Sequence, residues 1–279
     1  MEYYKNQKNP FKTYLTSESL AAAAAYNGTV GVSYVVLVID GQMDGGQSYS
    51  PDLSKLTNAE LKEWANVTAS VYCSADIVDG IQLDLEPFSP PYAAPFLVFL
   101  AQLSANLRSP ERNCVNSRHP GGRSITTFML GGAVTPAVWQ ALGPNGFLTV
   151  SGYDLSHAPA GVPSTVEYFR TQLAASLADV VASAAAHNGS FFVGVPAAAS
   201  AHEFESVLLP NGTTVQGHPQ IEYISAALKE LAAGAEGKRG YLGPALWAFS
   251  PQIDVGGRMF HPSNPFTDAG EEAYLAANL

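Results

Sequence analysis

The residues best placed to do chemistry lie in one run, Val78-Asp79-Gly80-Ile81-Gln82-Leu83-Asp84-Leu85-Glu86-Pro87. A β-strand sends alternate side chains to opposite faces. Ile81, Leu83 and Leu85 then share one face, and Gln82, Asp84 and Glu86 share the other. Neighbours along a face stand about 6.6 Å apart, close enough for Asp84 and Glu86 to share a proton or couple their titrations. Two adjacent carboxylates in a partly buried place raise one pKa, which yields a general acid at neutral or mildly acidic pH. The plainer alternative is that these carboxylates satisfy arginines or backbone groups inside the fold. Against it, three successive inward polar residues are costly to bury without a task.

Such a strand needs elements to position it. Short β-rich runs alternate with longer Ala/Leu-rich runs along the chain, the pattern of βα units around a parallel sheet. Strands are expected near 31–39, 79–86, 124–130, 147–154, 191–196 and 242–249. Helices are expected over 56–75, 95–107, 165–187 and 220–233, the first opened by a capping box of Thr57 and Glu60. In the crowded N-terminal region, 11–16 reads as a strand and 18–26 as a helix, leaving 2–5 for another strand. The expected fold is α/β, a (β/α)8 TIM barrel formed by a single domain over residues 1–279, with an incomplete or atypical first strand. Glu86, the last residue before Pro87, stands at the carboxyl rim of its strand, where the active site of such a barrel opens.

Composition narrows the partners. The chain of 279 residues is 47% hydrophobic and 14% charged, with a formal net charge of −10. It is too apolar for a disordered chain, and its acidic balance without a basic stripe argues against nucleic acid, polyanionic glycans and anionic membranes. A neutral partner suits this surface. No run is long and apolar enough for a membrane span, and Met1-Glu2-Tyr3-Tyr4-Lys5 lacks the apolar core of a secretory signal. Cys73 and Cys114 have no metal-ligand spacing; one bridge and two buried thiols are both open readings. Sequons at Asn27, Asn66, Asn188 and Asn211 are possible glycan acceptors or coincidental loop asparagines, and they lean toward an extracytoplasmic location.

The carboxylate strand resembles glycoside hydrolase family 18, the chitinases and related endo-N-acetylglucosaminidases, whose fourth strand reads Asp-x-x-Asp-x-Asp-x-Glu. Asp79, Asp84 and Glu86 match, while Gln82 replaces the second aspartate. Phe147-Leu148-Thr149-Val150-Ser151-Gly152-Tyr153-Asp154 looks like the sixth strand, with Ser151 in place of the usual Met of Met-x-Tyr-Asp. Phe192-Val193-Gly194-Val195-Pro196 is similar to the Gly-x-Pro ending of the seventh, and Gly243-Pro244-Ala245-Leu246-Trp247 to the last. The likeness runs from about Ala69 to Phe249. The Ser-x-Gly-Gly box of the third strand is missing; 129–132 (Met-Leu-Gly-Gly) comes after the carboxylate strand, and 39–46 is a looser upstream candidate.

The resemblance implies a retaining, substrate-assisted mechanism, in which the substrate's own acetamido carbonyl is the nucleophile, an exception to the ordinary two-carboxylate scheme. Glu86 would then protonate the glycosidic oxygen and later activate water. Asp84 would orient the acetamido N–H and stabilise the oxazolinium ion, and Tyr153 would donate its hydroxyl to the acetamido oxygen. Asp154 would hold the sugar and Trp247 stack beneath it, with Asp79 and Gln82 as supporting binding residues. The proline-rich loop 87–95 offers Phe88 and Tyr92 as stacking platforms, or as ordinary surface aromatics, and the Gly-rich 40–51 carries Tyr49.

Other readings point elsewhere. Arg108, Arg112, Arg118 and Arg123 read as a solvated patch on the stability face. His119, His157, His187, His202, His218 and His261 show no metal spacing, and His157 is a plain loop histidine or a cleft residue. The expected substrate carries β-linked N-acetylglucosamine, as chitin-type oligomers or the core of N-glycans; the Tyr153-Asp154 pair favours the chitinase side. No cofactor, metal, nucleic acid or membrane is expected, and a monomer is. Two rival classes stand beside this reading: a sugar-binding lectin on the same barrel, which commonly lacks the glutamate, and a metal-dependent barrel lyase or phosphodiesterase using Asp84 and Glu86 as ligands.

Overall fold

The structure is a computed structural model that describes residues 21, 36–43, 52–86, 88–153, 155, 165–196, 207–208, 211–215, 220–246, 254–255 and 258–259. Apart from the helical Ala21, the two strands and the helix expected over residues 2–26 lie outside the described residues, as do Asn27, Tyr49, Asp154, His157, His202, His218, Trp247 and His261.

Six strands, β1 (Val36–Gln42), β2 (Gly80–Glu86), β3 (Ser124–Met129), β4 (Gly146–Val150), β5 (Phe191–Val195) and β8 (Tyr241–Leu246), hydrogen-bond into one sheet in the order β1-β2-β3-β4-β5-β8. β1 to β2, β2 to β3 and β5 to β8 are parallel. Two short antiparallel hairpins, β6 (Val207–Leu208) with β7 (Thr214–Val215) and β9 (Asp254–Val255) with β10 (Arg258–Met259), stand apart from it. The helices are α1 (Asn58–Cys73), α2 (Pro90–Asn106), α3 (Pro136–Leu142), α4 (Val166–His187) and α5 (Gln220–Gly234). Parallel strands joined through helices are the α/β architecture of a (β/α)8 barrel. All six strands expected after residue 30 are present.

By contact the chain divides into two compact units, Met1–Met129 with Ala133–Leu148, and Leu130–Gly132 with Thr149–Leu279. In the first, α1 begins where the capping box places it: Thr57 Oγ1 accepts the Glu60 N–H at 3.3 Å, and Glu60 Oε2 accepts the Thr57 N–H at 2.8 Å. Its buried residues Leu61, Trp64, Ala65, Thr68, Ala69 and Tyr72 recur at three-to-four spacing. α2 starts earlier than the sequence suggests. Pro90 and Pro91 occupy its first turn, where a missing N–H costs nothing, and Pro95 lies inside it with Phe96, Phe99, Leu100 and Leu103 buried beyond. Tyr92 is therefore a helical residue of that first turn, not part of a stiff loop. α3 has no counterpart in the sequence reading, because seven residues are too few for a periodic signal to stand out.

In the second unit, Thr165 caps α4 by accepting the Tyr168 N–H at 3.1 Å. Phe169, Leu173, Leu177, Val180 and Ala184 form its buried stripe. Asn188 ends it in the left-handed region at φ 60°. Tyr223, Ile224, Ala227 and Leu231 bury the matching face of α5. Arg170 joins the two helices through Glu230, 2.7 Å from its Nε. At that exposed position the pair is worth under about 1 kcal/mol.

Of the four arginines of the first unit, Arg118 is exposed as a solvated patch requires, whereas Arg123 is not. Arg123 is fully buried. Its guanidinium donates to the carbonyls of Cys73 at 3.0 Å, Ala75 at 2.8 Å and Val78. These oxygens follow the last turn of α1, where helical carbonyls lack partners and the dipole is negative. Burial pushes the Arg123 pKa down from its ordinary value, partly offset by Asp76 and Asp79. Arg112 donates to the Asn66 carbonyl and Ser70 Oγ, each at 3.3 Å. Beside them Cys73 and Cys114 form a disulfide, which settles the open alternative for the cysteines. It closes a loop of sequence separation 41.

In the chain-entropy account a crosslink of that span is worth about 4 kcal/mol. Replacing both Cys73 and Cys114 by Ser should therefore lower the unfolding free energy by roughly that amount. Urea midpoints of wild type and variant, with and without reductant, measure the difference, and coincident midpoints would contradict it.

Candidate functional site

The carboxylate strand is β2, and burial follows its alternation. Ile81 and Leu83 are 0% exposed and Leu85 4%, whereas Gln82 and Asp84 are half-buried and Glu86 is exposed. The side chains expected to work together thus share the less buried face, opening progressively toward the carboxyl end. β2 is flanked on both sides. β1 pairs along its whole length, with Asp40 opposite Asp84 and Gln42 opposite Glu86 in the register. β3 pairs with its first half, from Gly80 opposite Ser124 to Leu83 opposite Thr127. The Met43 N–H donates to the Glu86 carbonyl at 2.6 Å, and the Leu53 N–H to the Met43 carbonyl at 2.9 Å. These bonds extend the pairing past the end of β1 and hold the backbone beneath Glu86.

The strand next to β2 is therefore the segment carrying Ile39-Asp40-Gly41-Gln42, the looser upstream candidate for the missing glycine box, while Gly131-Gly132 follows β3. Phe88 lies just beyond β2, its ring 5.5 Å from Phe96 in an edge-to-face contact. Tyr92 is one helical turn further on, and both rings are half-buried.

Asp79 is held elsewhere. It precedes β2 at the amino end, and its odd position gives it the parity of Ile81 and Leu83, not of Asp84 and Glu86. Seven residues of strand separate it from Glu86 by about 23 Å. It is 4% exposed, and its Oδ1 lies 2.8 Å from His119 Nε2 and 3.2 Å from Arg118 Nη2. Asn116 Oδ1 accepts the N–H groups of Arg118 at 3.0 Å and His119 at 2.9 Å. The loop that presents the two partners is thereby folded by its own asparagine. Nothing local in the sequence signals this cluster, because its members lie 39 and 40 residues from Asp79.

Tyr153 belongs to the second unit, three residues past β4, and is 5% exposed. Ser151, the residue that replaces methionine, supports it directly. The Ser151 hydroxyl donates to the Tyr153 carbonyl and accepts the Tyr153 N–H at 3.3 Å. On the other side the ring lies along Gly194 of β5. A Cβ at Gly194 would stand 2.8 Å from Tyr153 Cε1, closer than real contacts allow. The Gly-x-Pro ending thus has a local reason: glycine leaves the space that the ring fills. Ser151 and Gly194 are positioning residues that sequence reasoning noted without assigning this role.

Among the described residues, no group of three or more His, Cys, Asp and Glu side chains is arranged to hold a metal ion. No helix there is long and apolar enough to cross a membrane.

No family model matches the chain, and no curated protein matches it. Solved structures do. The "C-terminal domain of putative chitinase" from Desulfitobacterium hafniense DCB-2 superposes with a TM-score of 0.52 at 12% identity, covering 84% of this chain and 78% of that one. A fungal β-1,4-galactanase gives a TM-score of 0.48 at 14% identity, with 85% of this chain and 73% of that one covered. XacCel5A gives 0.47 at 12% identity, with 85% and 69% covered. At such identities the first of these establishes a shared fold.

The two ends of β2 should respond oppositely to substitution. Asp79→Asn takes the carboxylate away from the buried His119 ring and from Arg118, and should cost about 1–3 kcal/mol of stability. Glu86→Gln, at an exposed position, should stay within about 0.5 kcal/mol of wild type. Chemical denaturation of the two variants reads both, and equal losses would contradict the division of labour along the strand.

Proposed function

We propose that the chain is a glycoside hydrolase that cleaves β-linked N-acetylglucosamine, with Glu86 as acid/base. The observation that carries this reading is the arrangement of Asp84 and Glu86 on the less buried face of β2, with Glu86 exposed at its carboxyl end. Support comes from the motif resemblance and from the fold shared with a domain described as a chitinase.

The chemistry follows from the acid's position. Glu86 gives its proton to the glycosidic oxygen as the bond from that oxygen to C1 breaks. The substrate's acetamido oxygen bonds to C1 from the opposite face, forming an oxazolinium ion. Asp84 accepts the acetamido N–H, and its charge offsets the developing positive charge. Glu86, now a carboxylate, takes a proton from the water that attacks C1, and the acetamido group is released. The motif gives Tyr153 the acetamido oxygen and gives Asp154 and Trp247 the sugar ring, while Phe88 and Tyr92 supply stacking surface. The half-buried Gln82 adds no charge beneath Asp84, and Asp79 acts on the strand as an anchor. Substrate is a chitin-type oligosaccharide in preference to an N-glycan core, and the protein acts as a monomer without cofactor.

Cleavage of a chromogenic chitobioside tests the assignment. Glu86→Gln should lose about 10²- to 10⁴-fold in kcat, the usual weight of a general acid. Chelator should leave wild type unchanged. Equal rates for wild type and variant would remove Glu86 from the role, and a wild type that binds without cleaving would make the chain a lectin. A second prediction concerns the proton-sharing series. Gln82→Asp should remain active with a shifted acid limb of the pH–rate profile, since it restores a carboxylate below Asp84; an unmoved limb would exclude that coupling.

A further inference from the structure

We propose that Asn211 is an N-glycan acceptor of this chain and that Asn66, although it carries the same sequon, is not. Acceptance needs three things from the protein: an exposed asparagine amide, the hydroxyl of the residue two positions on close beside it, and a backbone turn that presents both. The loop between β6 and β7 supplies the exposed amide and the turn, with Thr213 as the hydroxyl residue of the sequon. Asn211, Gly212 and Thr213 are all exposed. Asn211 Oδ1 accepts the Thr213 N–H at 3.0 Å, an Asx turn closed within the sequon itself. Gly212 takes φ +82°, and the space where its Cβ would stand is open to 4 Å. The hydrogen bond to Oδ1 draws electron density from Nδ2, which eases loss of its proton.

The other described sequons lack this arrangement. Asn66 lies within α1, where residues two apart point to different sides. Thr68 is 0% exposed. The Asn66 side chain is engaged at both ends: Nδ2 donates to Glu63 Oε2 at 3.1 Å, and Oδ1 accepts from Asn106 Nδ2 at 3.0 Å. At Asn188 the amide oxygen is taken by Arg239 Nη2, not by the sequon's own serine N–H. The Cys73–Cys114 disulfide supplies an independent pointer, since such bonds persist in oxidising compartments, where secreted chains are processed.

The donor is a lipid-diphosphate-linked oligosaccharide. Asn211 Nδ2 bonds to the anomeric carbon of its first sugar, the carbon–oxygen bond to the diphosphate breaks with its electron pair leaving on the diphosphate, and the Nδ2 proton passes to a carboxylate of the transferase. The test is the full chain expressed behind a secretion leader in eukaryotic cells. Peptide N-glycosidase in heavy-oxygen water, followed by peptide mass spectrometry, reads occupancy in the secreted and microsomal fractions alike. Asn211 should be occupied in most molecules and Asn66 in none, and both Asn211→Gln and Thr213→Val should remove one glycan's mobility shift. An unmodified Asn211, or a glycan on Asn66, would overturn the proposal.

Discussion

The period-two alternation of β2 is the constraint on which the rest of the chain's organisation depends. β2 is paired with β1 along its whole length and with β3 over Gly80–Leu83, so what remains free to vary is which side chain faces which way. Ile81, Leu83 and Leu85 fill one face completely. That fixes Gln82, Asp84 and Glu86 on the other, and a register slip of one residue would drive both carboxylates into the apolar layer. Burying an unpaired charge there costs far more than any single apolar contact returns. The same apolar face that builds the core therefore aims the candidate acid.

Holding that register is the work of the amino end. Asp79 is clamped by Arg118 and His119, its own carbonyl accepts the Ser124 N–H at 3.0 Å, and Arg123 gathers the carbonyls leading from α1 into β2. The disulfide fixes the same corner covalently. Buried ion pairs are poor sources of net stability, so what these contacts contribute is the position of the amino end of β2. Placed at the end away from Glu86, they specify position without altering the electrostatics of the open end. The chain's sparse charge is thus partly placed inside, and for Asp79 the plainer alternative, a carboxylate that satisfies an arginine, describes its contacts.

That contrast marks what could be read from residue order alone. The alternation of β2, the Thr57–Glu60 capping box and the apolar stripes of α1, α4 and α5 are local patterns, and each appears where the pattern places it. The start of α2 was obscured because its first turn is made of prolines, which look like loop unless the tolerance of a first helical turn is weighed. Arg123 reads as solvated in the sequence for a different reason. A run rich in arginine and glycine looks exposed, and only the fold brings Asp79 and the α1 carbonyls to it across some 40 positions. Of the candidate site, β2 was legible as a unit. The support of Tyr153 by Ser151 and Gly194 was not, because it joins a hydroxyl two residues away to a space left by a missing Cβ on another strand.

Gln82 shows how the positional argument reaches the chemistry. Charges one same-face step apart on a strand, about 6.6 Å, repel by about 2.5 kcal/mol at an effective dielectric near 20. A column of three carboxylates would contain two such repulsions, and a proton could move along it to relieve either. With an amide at position 82, the step between Asp84 and Glu86 is the one that remains within β2. A proton held by either of those two relieves that repulsion and leaves the other charged. Exposure differs in the same sense: Glu86 faces solvent and can exchange its proton, while Asp84 is half-buried beneath it. Position alone thus separates the two carboxylates of β2, the inner one half-buried and the outer one open to solvent.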